Sequence, residues 1–513
     1  MGAPPAEKKP FQFPTAVTTL ALVSVVVWVA ALFLPPGAFE TDADGSPIPG
    51  TYRRIETSLS LGEAVRQLVL APVNGVYGLK SPETDTVDTT ALGRMFGQIG
   101  VIVFIMSIGA FISVSFATRS LEVAVGRLAH RLKDQGWMLI ASVMVLFSLL
   151  GSTMGFSVET LGFYALFLPL MAALGYDRLV TASMIILGAL VGVMASTVNP
   201  FSIGVAAGEA GVSIGDGIGL RLLLWVVLTA MAVAWVLRYA AAVRRDPSAS
   251  LVGWDPEGGA EEPAATSAEG AEALTTQQIW VLAITAFAFG LMIFSVIPWS
   301  SIVAGGTGPA DYMLEHETSV APFWFELGWW FPQLAMLFIA ASVLVGLIAG
   351  MGEKETVRLI SAGAADMMGP SLVILLAGGI SVILNNTQTL DTILHAMEQL
   401  VRGASAGVFA FITVVINVPL AILIPSSSGH AALAMPLLSP LADFANVARA
   451  TTITAWILAH GLALLVSPTS VVLVGGLAIA KVRLDQYLRF VWPLILAFFL
   501  VAVGVVGFAA TIP

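Results

Sequence analysis

Ser426, Ser427, Ser428 and Gly429 stand in an unbroken run just ahead of an apolar stretch that contains Pro436. The first turn of a helix carries unpaired N–H groups and the positive end of its dipole, so hydroxyls placed there can cradle a carboxylate. Far upstream, Glu159 lies among small and apolar residues. A carboxylate at membrane depth is costly unless it is paired or lines water, so such an acid reads as a functional group, here one able to meet an ammonium. Asn199 and Thr469, in the interrupted apolar runs that follow these two stretches, could also touch a solute. Ser152, Thr153 and Asn199, together with carbonyls freed near Pro200, offer the oxygen-only shell that a hard cation such as Na⁺ takes, and Ser196, Ser467 and Thr469 extend it. His460, in the apolar run WILAHGLALL, is either an interhelical hydrogen-bonder or a group that takes up a proton.

The elements that must position these groups are two broken, twice-used stretches. Residues 151–176 begin with small polar residues, pass Pro169 and close at Gly175-Tyr176-Asp177. That length suits a re-entrant hairpin of two half-membrane helices better than one unbroken crossing. The next apolar run, 179–208, is interrupted by Ser196-Thr197-Val198-Asn199-Pro200, and Asn-Pro breaks a helix. The plan returns as a hairpin at 424–444 and a broken helix at 450–480. Gly155 answers to Gly429, Pro169 to Pro436, Asp177 to Asp443 and Ser196 to Ser467; Gly100, Gly109, Thr118 and Leu121 answer to Gly369, Gly378, Thr387 and Leu390. Broken backbone at membrane depth survives only where it is buried in protein or lines a wet cavity, and paired interruptions in two repeats point to a transporter's binding site. Ser and Thr also pack between membrane helices, but their clustering at both breaks favours binding.

With 57% hydrophobic and 11% charged residues in 513, and a mean hydropathy of +0.90, the chain reads as a polytopic, all-α membrane protein. The net charge of −10 collects in connecting segments, so it names no acidic or nucleic-acid-binding role. The absence of cysteine excludes disulfides, thiol catalysis and cysteine metal sites. No Walker loop, HExxH motif or nucleophile elbow is present, and no enzyme is expected.

Taken in order, the apolar run 15–36 follows Lys8-Lys9, ends at Pro35-Pro36-Gly37 and reads as a retained first span. Residues 58–80 read as a surface-lying segment, 96–116 as a second span, 117–136 as an interfacial basic helix and 137–150 as a third span feeding the first hairpin. A fifth span is expected at 220–240, a flexible acidic linker at 245–275, spans at 279–298 and 329–350 around a polar loop, then 368–385, 404–422 and 487–510. The units are therefore a first membrane repeat over 1–244 and a second over 276–513. About eleven crossings result, a parity that sets both repeats in one orientation and leaves Arg244 and Arg245 outside, against the positive-inside rule. The internal repeat is the stronger signal, and inverted pseudo-symmetry is expected.

LGYD at 174–177, STVNPF at 196–201, IPSSSGHAALAMP at 424–436, PLADF at 440–444 and SPTS at 467–470 carry a resemblance through most of the chain outside the linker. With them the chain resembles the anaerobic C4-dicarboxylate carrier-like family of the ion transporter superfamily, in its YfcC branch of amino-acid antiporters. That resemblance implies a homodimer with a fixed scaffold and a mobile, elevator-type transport domain holding both hairpins and both broken helices. It differs from the branch in having Val158 before a single Glu159, where paired glutamates are usual, and Ala459-His460-Gly461 where Gly-Asp-Gly is usual. The expectation is a secondary transporter in lipid, at a bacterial cytoplasmic (inner) membrane. It would move a small carboxylate-bearing solute, foremost an amino acid, by Na⁺ or H⁺ coupling or by exchange, with no cofactor beyond Na⁺. A C4-dicarboxylate carrier is the alternative, disfavoured by the lack of Arg or Lys within the breaks; an ion channel is the further one.

Overall fold

The computed structural model describes residues 16–40, 48–55, 99–132, 135–253, 273–297, 299, 323–401 and 405–511, with short pieces between 62 and 95. Most of the expected surface segment at 58–80, the polar loop at 300–322 and linker residues 254–272 lie outside the described residues. The fold is mostly helical. Two small antiparallel sheets of two-residue strands modify the all-α expectation: Gly37–Ala38 pairs with Arg53–Arg54, and Leu79–Lys80 lies between Val87–Asp88 and Arg94–Met95.

Helices Arg178–Met194 and Arg449–Leu464 form the centre. Every residue from Leu179 to Met194 is buried, as is every residue from Thr452 to Leu464. A helix apolar on all sides has no face to give to water, so it takes the interior position. The two pack on each other. Each ends in a break: Met194 is followed by residues 195–199, a π-turn at Pro200–Gly204 and helix Val205–Ala210; Leu464 is followed by 465–470 and helix Val471–Ile479. Asp177 starts the first of them, its carboxylate accepting from the Val180 amide at 2.8 Å.

Around this pair stand two series of helices. Helices Ile99–Ala117, Ser120–Arg131 and Gly136–Met154 precede the first tip; Met368–Asn386, Leu390–Val401 and Ala406–Leu423 precede the second. Ile218–Arg245 and Leu484–Ala509 close the two series.

Each tip lies between a long incoming helix and a returning arm. The returning arm of the first is Val158–Phe163 and Tyr164–Ala173, and its incoming helix is Gly136–Met154. Phe147 lies against Phe163 and Phe167, with ring centroids 5.3 and 6.4 Å away, and Gly136 abuts the Tyr176 ring. The chain thus returns beside its starting point. The third span expected at 137–150 is the helix Gly136–Met154, which is long and apolar enough to cross a membrane and leads into the first tip. At the second tip, Ala406–Leu423, the span expected at 404–422, leads in and Ser427–Phe444 leads out. Both incoming helices, 19 and 18 residues long, have the length and composition of a span.

Seven described helices are long and apolar enough to cross a membrane, or eight if the bent pair Gly352–Asp366 and Met368–Leu384 counts as one. Gly352–Asp366 is amphipathic and starts with Glu353 and Glu355. On its exposed side the Arg358 guanidinium holds the Glu355 carboxyl below the usual carboxylate range. Its other side crosses Ile99–Ala117 where Gly109 meets Gly363, so close that a methyl on either would strike the other's carbonyl. The linker's first residues are packed, not free: Ser250 donates to Asp177 at 2.6 Å, and the Leu251 amide to the Tyr239 hydroxyl at 3.0 Å.

Candidate functional site

The two tips and the two breaks converge on one cavity of about 880 Å³. Its wall takes Gly155 to Glu159 from the first tip, Asn199 and Phe201 from the first break, Pro425 to Ser428 from the second tip and Thr469 to Val472 from the second break. Ile99–Ala117 and the Gly363–Pro370 bend close one side, and His460 and Leu464 form part of the floor. A volume of this order suits a small organic solute.

At the first tip, the helix ends because Gly155 adopts φ +73°, a left-handed conformation that glycine takes without steric cost. A side chain there would also meet Asn199 Oδ1 and the Phe201 ring at 2.9 Å. Glu159 follows on an exposed 3₁₀ turn, where its carboxylate accepts from the Ser157 amide at 3.0 Å and lines the cavity. Asn199 caps the π-turn: Oδ1 accepts from the Phe201 amide at 3.0 Å and Nδ2 donates to Ser196 Oγ at 3.2 Å.

At the second tip, Ser426 caps helix Ser427–Phe444, accepting from the Gly429 amide at 3.3 Å. The first intrahelical bond runs from the His430 amide to the Ser426 carbonyl, 2.9 Å. The amides of Ser427 and Ser428 come before it, at the cavity wall, where a helix start leaves donors for a ligand. Ser426 and Ser428 hydroxyls share a bond of 3.2 Å, and Thr469 donates to the Ile422 carbonyl at 3.0 Å, tying the second break to the second hairpin.

Of the expected solute-binding residues, Glu159, Asn199, Ser426, Ser427, Ser428 and Thr469 share this wall. Gly429 does not; its amide belongs to the cap. The expected cation set is divided. Asn199 and Thr469 reach the wall, but Ser152, Thr153, Ser196 and Ser467 do not. Ser152 is buried and donates to the Ala195 carbonyl at 2.9 Å. Thr153 donates back to Leu149 of its own helix at 2.8 Å, Ser196 to the Val193 carbonyl at 2.6 Å, and Ser467 bonds Thr469 at 2.7 Å. Those hydroxyls close helix ends and breaks.

Asp366 is a wall residue that sequence reasoning missed; its signal was a single acid in the small-residue run SAGAAD. The wall carries the carboxylates Glu159 and Asp366 and, among the described residues, no Lys or Arg. Asp177 and Asp443 lie away from it, in line with the turn role their sequence suggests. Asp177 accepts from Val180, Tyr239 and Ser250, and Asp443 holds the Arg449 fork at 2.6–3.2 Å.

The model of the family described as "DcuC: C4-dicarboxylate anaerobic carrier" matches residues 13–510, and the chain belongs to that family. An uncharacterized protein of Haemophilus influenzae (strain ATCC 51907 / DSM 11121 / KW20 / Rd) is 28% identical over 518 residues, covering 95% of each chain. A protein of Escherichia coli (strain K12) named "Putative basic amino acid antiporter YfcC" is 27% identical over 409 residues, covering 77% of this chain and 75% of its own. The fold is similar to that of the solved Alcanivorax borkumensis YdaH transporter, with a TM-score of 0.63 at 12% identity, covering 96% of this chain and 98% of that one. Neisseria gonorrhoeae MtrF, described as illuminating a class of antimetabolite efflux pumps, gives 0.59 at 14% identity, covering 97% and 95%. Family and fold together make this a membrane transporter.

Proposed function

We propose that this member of the C4-dicarboxylate anaerobic carrier family is a secondary active transporter of amino acids, the basic ones foremost. The observation that carries the reading is the charge of the cavity wall: two carboxylates, Glu159 and Asp366, and no Lys or Arg among its described residues. The two negative charges of a dicarboxylate would meet only helix-end dipoles and hydroxyls there, and would face two more carboxylates. The carboxylate of an amino acid fits the Ser426–Ser428 helix start, and its ammonium groups fit the two acids. The name of the Escherichia coli relative supports the same solute class. Coupling by Na⁺, H⁺ or exchange, a homodimeric scaffold and elevator-type movement of paired hairpins, arranged as inverted repeats in the inner membrane, belong to this proposal.

The test is uptake by proteoliposomes of the purified protein. Counterflow of radiolabelled L-lysine, saturable and competed by unlabelled lysine or arginine but not by succinate, is expected. Counterflow of succinate with no lysine transport would transfer the protein to the dicarboxylate reading.

A further inference from the structure

Behind the second tip, three side chains from three helices form one hydrogen-bonded chain. Asn417 Oδ1 lies 3.0 Å from His430 Nε2, and His430 Nδ1 lies 3.1 Å from His460 Nδ1. All three residues are buried, and His430 and His460 are fully so. At the far end of the chain, His460 Nε2 is buried with no hydrogen-bond partner, while its residue forms part of the cavity wall. A buried polar atom left unpaired is costly, and such an atom at a binding site asks for a ligand.

The network itself determines what kind of ligand group that atom needs. Asn417 Nδ2 donates to the Thr413 carbonyl at 2.8 Å, and a carbonyl can only accept, so the amide orientation is fixed and Oδ1 is an acceptor. His430 Nε2 must then carry a proton to donate to it. Among the described residues no carboxylate bonds either ring, so both are taken as neutral. A neutral His430 protonated at Nε2 has a lone pair on Nδ1, and His460 Nδ1 must supply the proton between them. That leaves His460 Nε2 as a bare lone pair. The chain from Thr413 to His460 sets the tautomer of a wall residue from two helices away.

We propose that His460 Nε2 is an acceptor for the solute's ammonium N–H, selecting solutes with a donor there over those that carry only a charge. This rests on the amino-acid reading of the same cavity and adds a directional requirement to it. Glu159 and Asp366 attract a cation of any kind; a single lone pair in an apolar floor requires a hydrogen to point at it. Asn417 and His430 act as positioning residues, holding the tautomer without touching the solute.

Calorimetric binding of L-lysine, of its fully N-methylated derivative and of succinate separates these contributions. Methylation keeps the positive charges and removes every N–H. Wild type should bind lysine at least tenfold more tightly than the methylated form. In H460F that preference should fall to about twofold or less, and H460Q, which again offers an acceptor oxygen, should restore part of it. In wild type labelled with ¹⁵N-histidine, the Nε2 resonance of His460 should be of the unprotonated type without solute and shift on adding lysine, a readout that needs no variant. Undiminished preference in H460F, or a protonated Nε2 in the solute-free protein, overturns the assignment of His460 while leaving the amino-acid reading intact. Tight succinate binding with no lysine binding overturns both.

Discussion

The Thr197 amide donates at once to the hydroxyl and the carbonyl oxygen of Ser152, each at 3.0 Å. Ser152 in turn donates to the Ala195 carbonyl at 2.9 Å. The last turn of Gly136–Met154 and the first break are therefore fastened together through buried backbone groups.

Ser152→Ala should destabilise the protein by about 1–3 kcal/mol, the range for a buried hydrogen-bonding group left unmet. Thr153→Ala removes only a bond back to its own helix and should lie within about 0.5 kcal/mol of wild type. Thermal unfolding in detergent reads both. Equal shifts would show that the Ser152 bonds do not hold the break.

Gly155→Ala forces a side chain into a left-handed conformation and against Asn199 and Phe201. A cost of about 1–2 kcal/mol for the backbone alone is expected, with further loss from displacing Asn199. Lysine uptake should fall more than tenfold. Gly162, on the 3₁₀ turn that follows and with open space around it, is the comparison, and Gly162→Ala should transport normally.

Glu159→Gln and Asp366→Asn each keep shape and remove charge. Each should weaken lysine binding by about tenfold, equivalent to about 1.4 kcal/mol, and leave succinate affinity the same or improved. Isothermal titration decides it, and unchanged lysine affinity in both variants would contradict the charge argument.

Arg449 grips Asp443 with both arms of its fork and donates to the Ala210 carbonyl at 2.8 Å, joining the second half to the short helix beyond the first break. Arg449→Lys keeps the charge but cannot make both contacts. A loss of about 1–2 kcal/mol is expected for this partly buried group, with Asp443→Asn in the same background adding little more. Additive losses would mean that the two residues act separately.

The breaks were legible because Asn199-Pro200 and Ser467-Pro468 interrupt long apolar runs, and proline acts on the backbone locally. The packing of the returning arm on Gly136–Met154 was not, since contacts such as Phe147 to Phe167 join residues that no local pattern pairs. Glu159, Asn199 and the serine run could be found because polar groups are rare in such sequence. Ser152 and Ser467 drew the same notice, yet their hydroxyls close backbone, and residue type alone does not separate the two uses. The pairing of His430 with His460 joins residues 30 apart on different helices, and no local pattern encodes it.

Helix Ala16–Phe33 packs on Met368–Asn386, through Val27, Trp28 and Ala31 against Val382 and Ile383, while Phe331–Ile348 packs on Ile99–Ala117. Each half thus lends a helix to the other. During synthesis, Ala16–Phe33 must wait for docking residues that emerge about 350 residues later, roughly 20–70 s at ordinary translation rates. Over that interval the side of the helix that meets Val382 and Ile383 has no partner from the second half, so completion of this packing is paced by the ribosome as well as by folding.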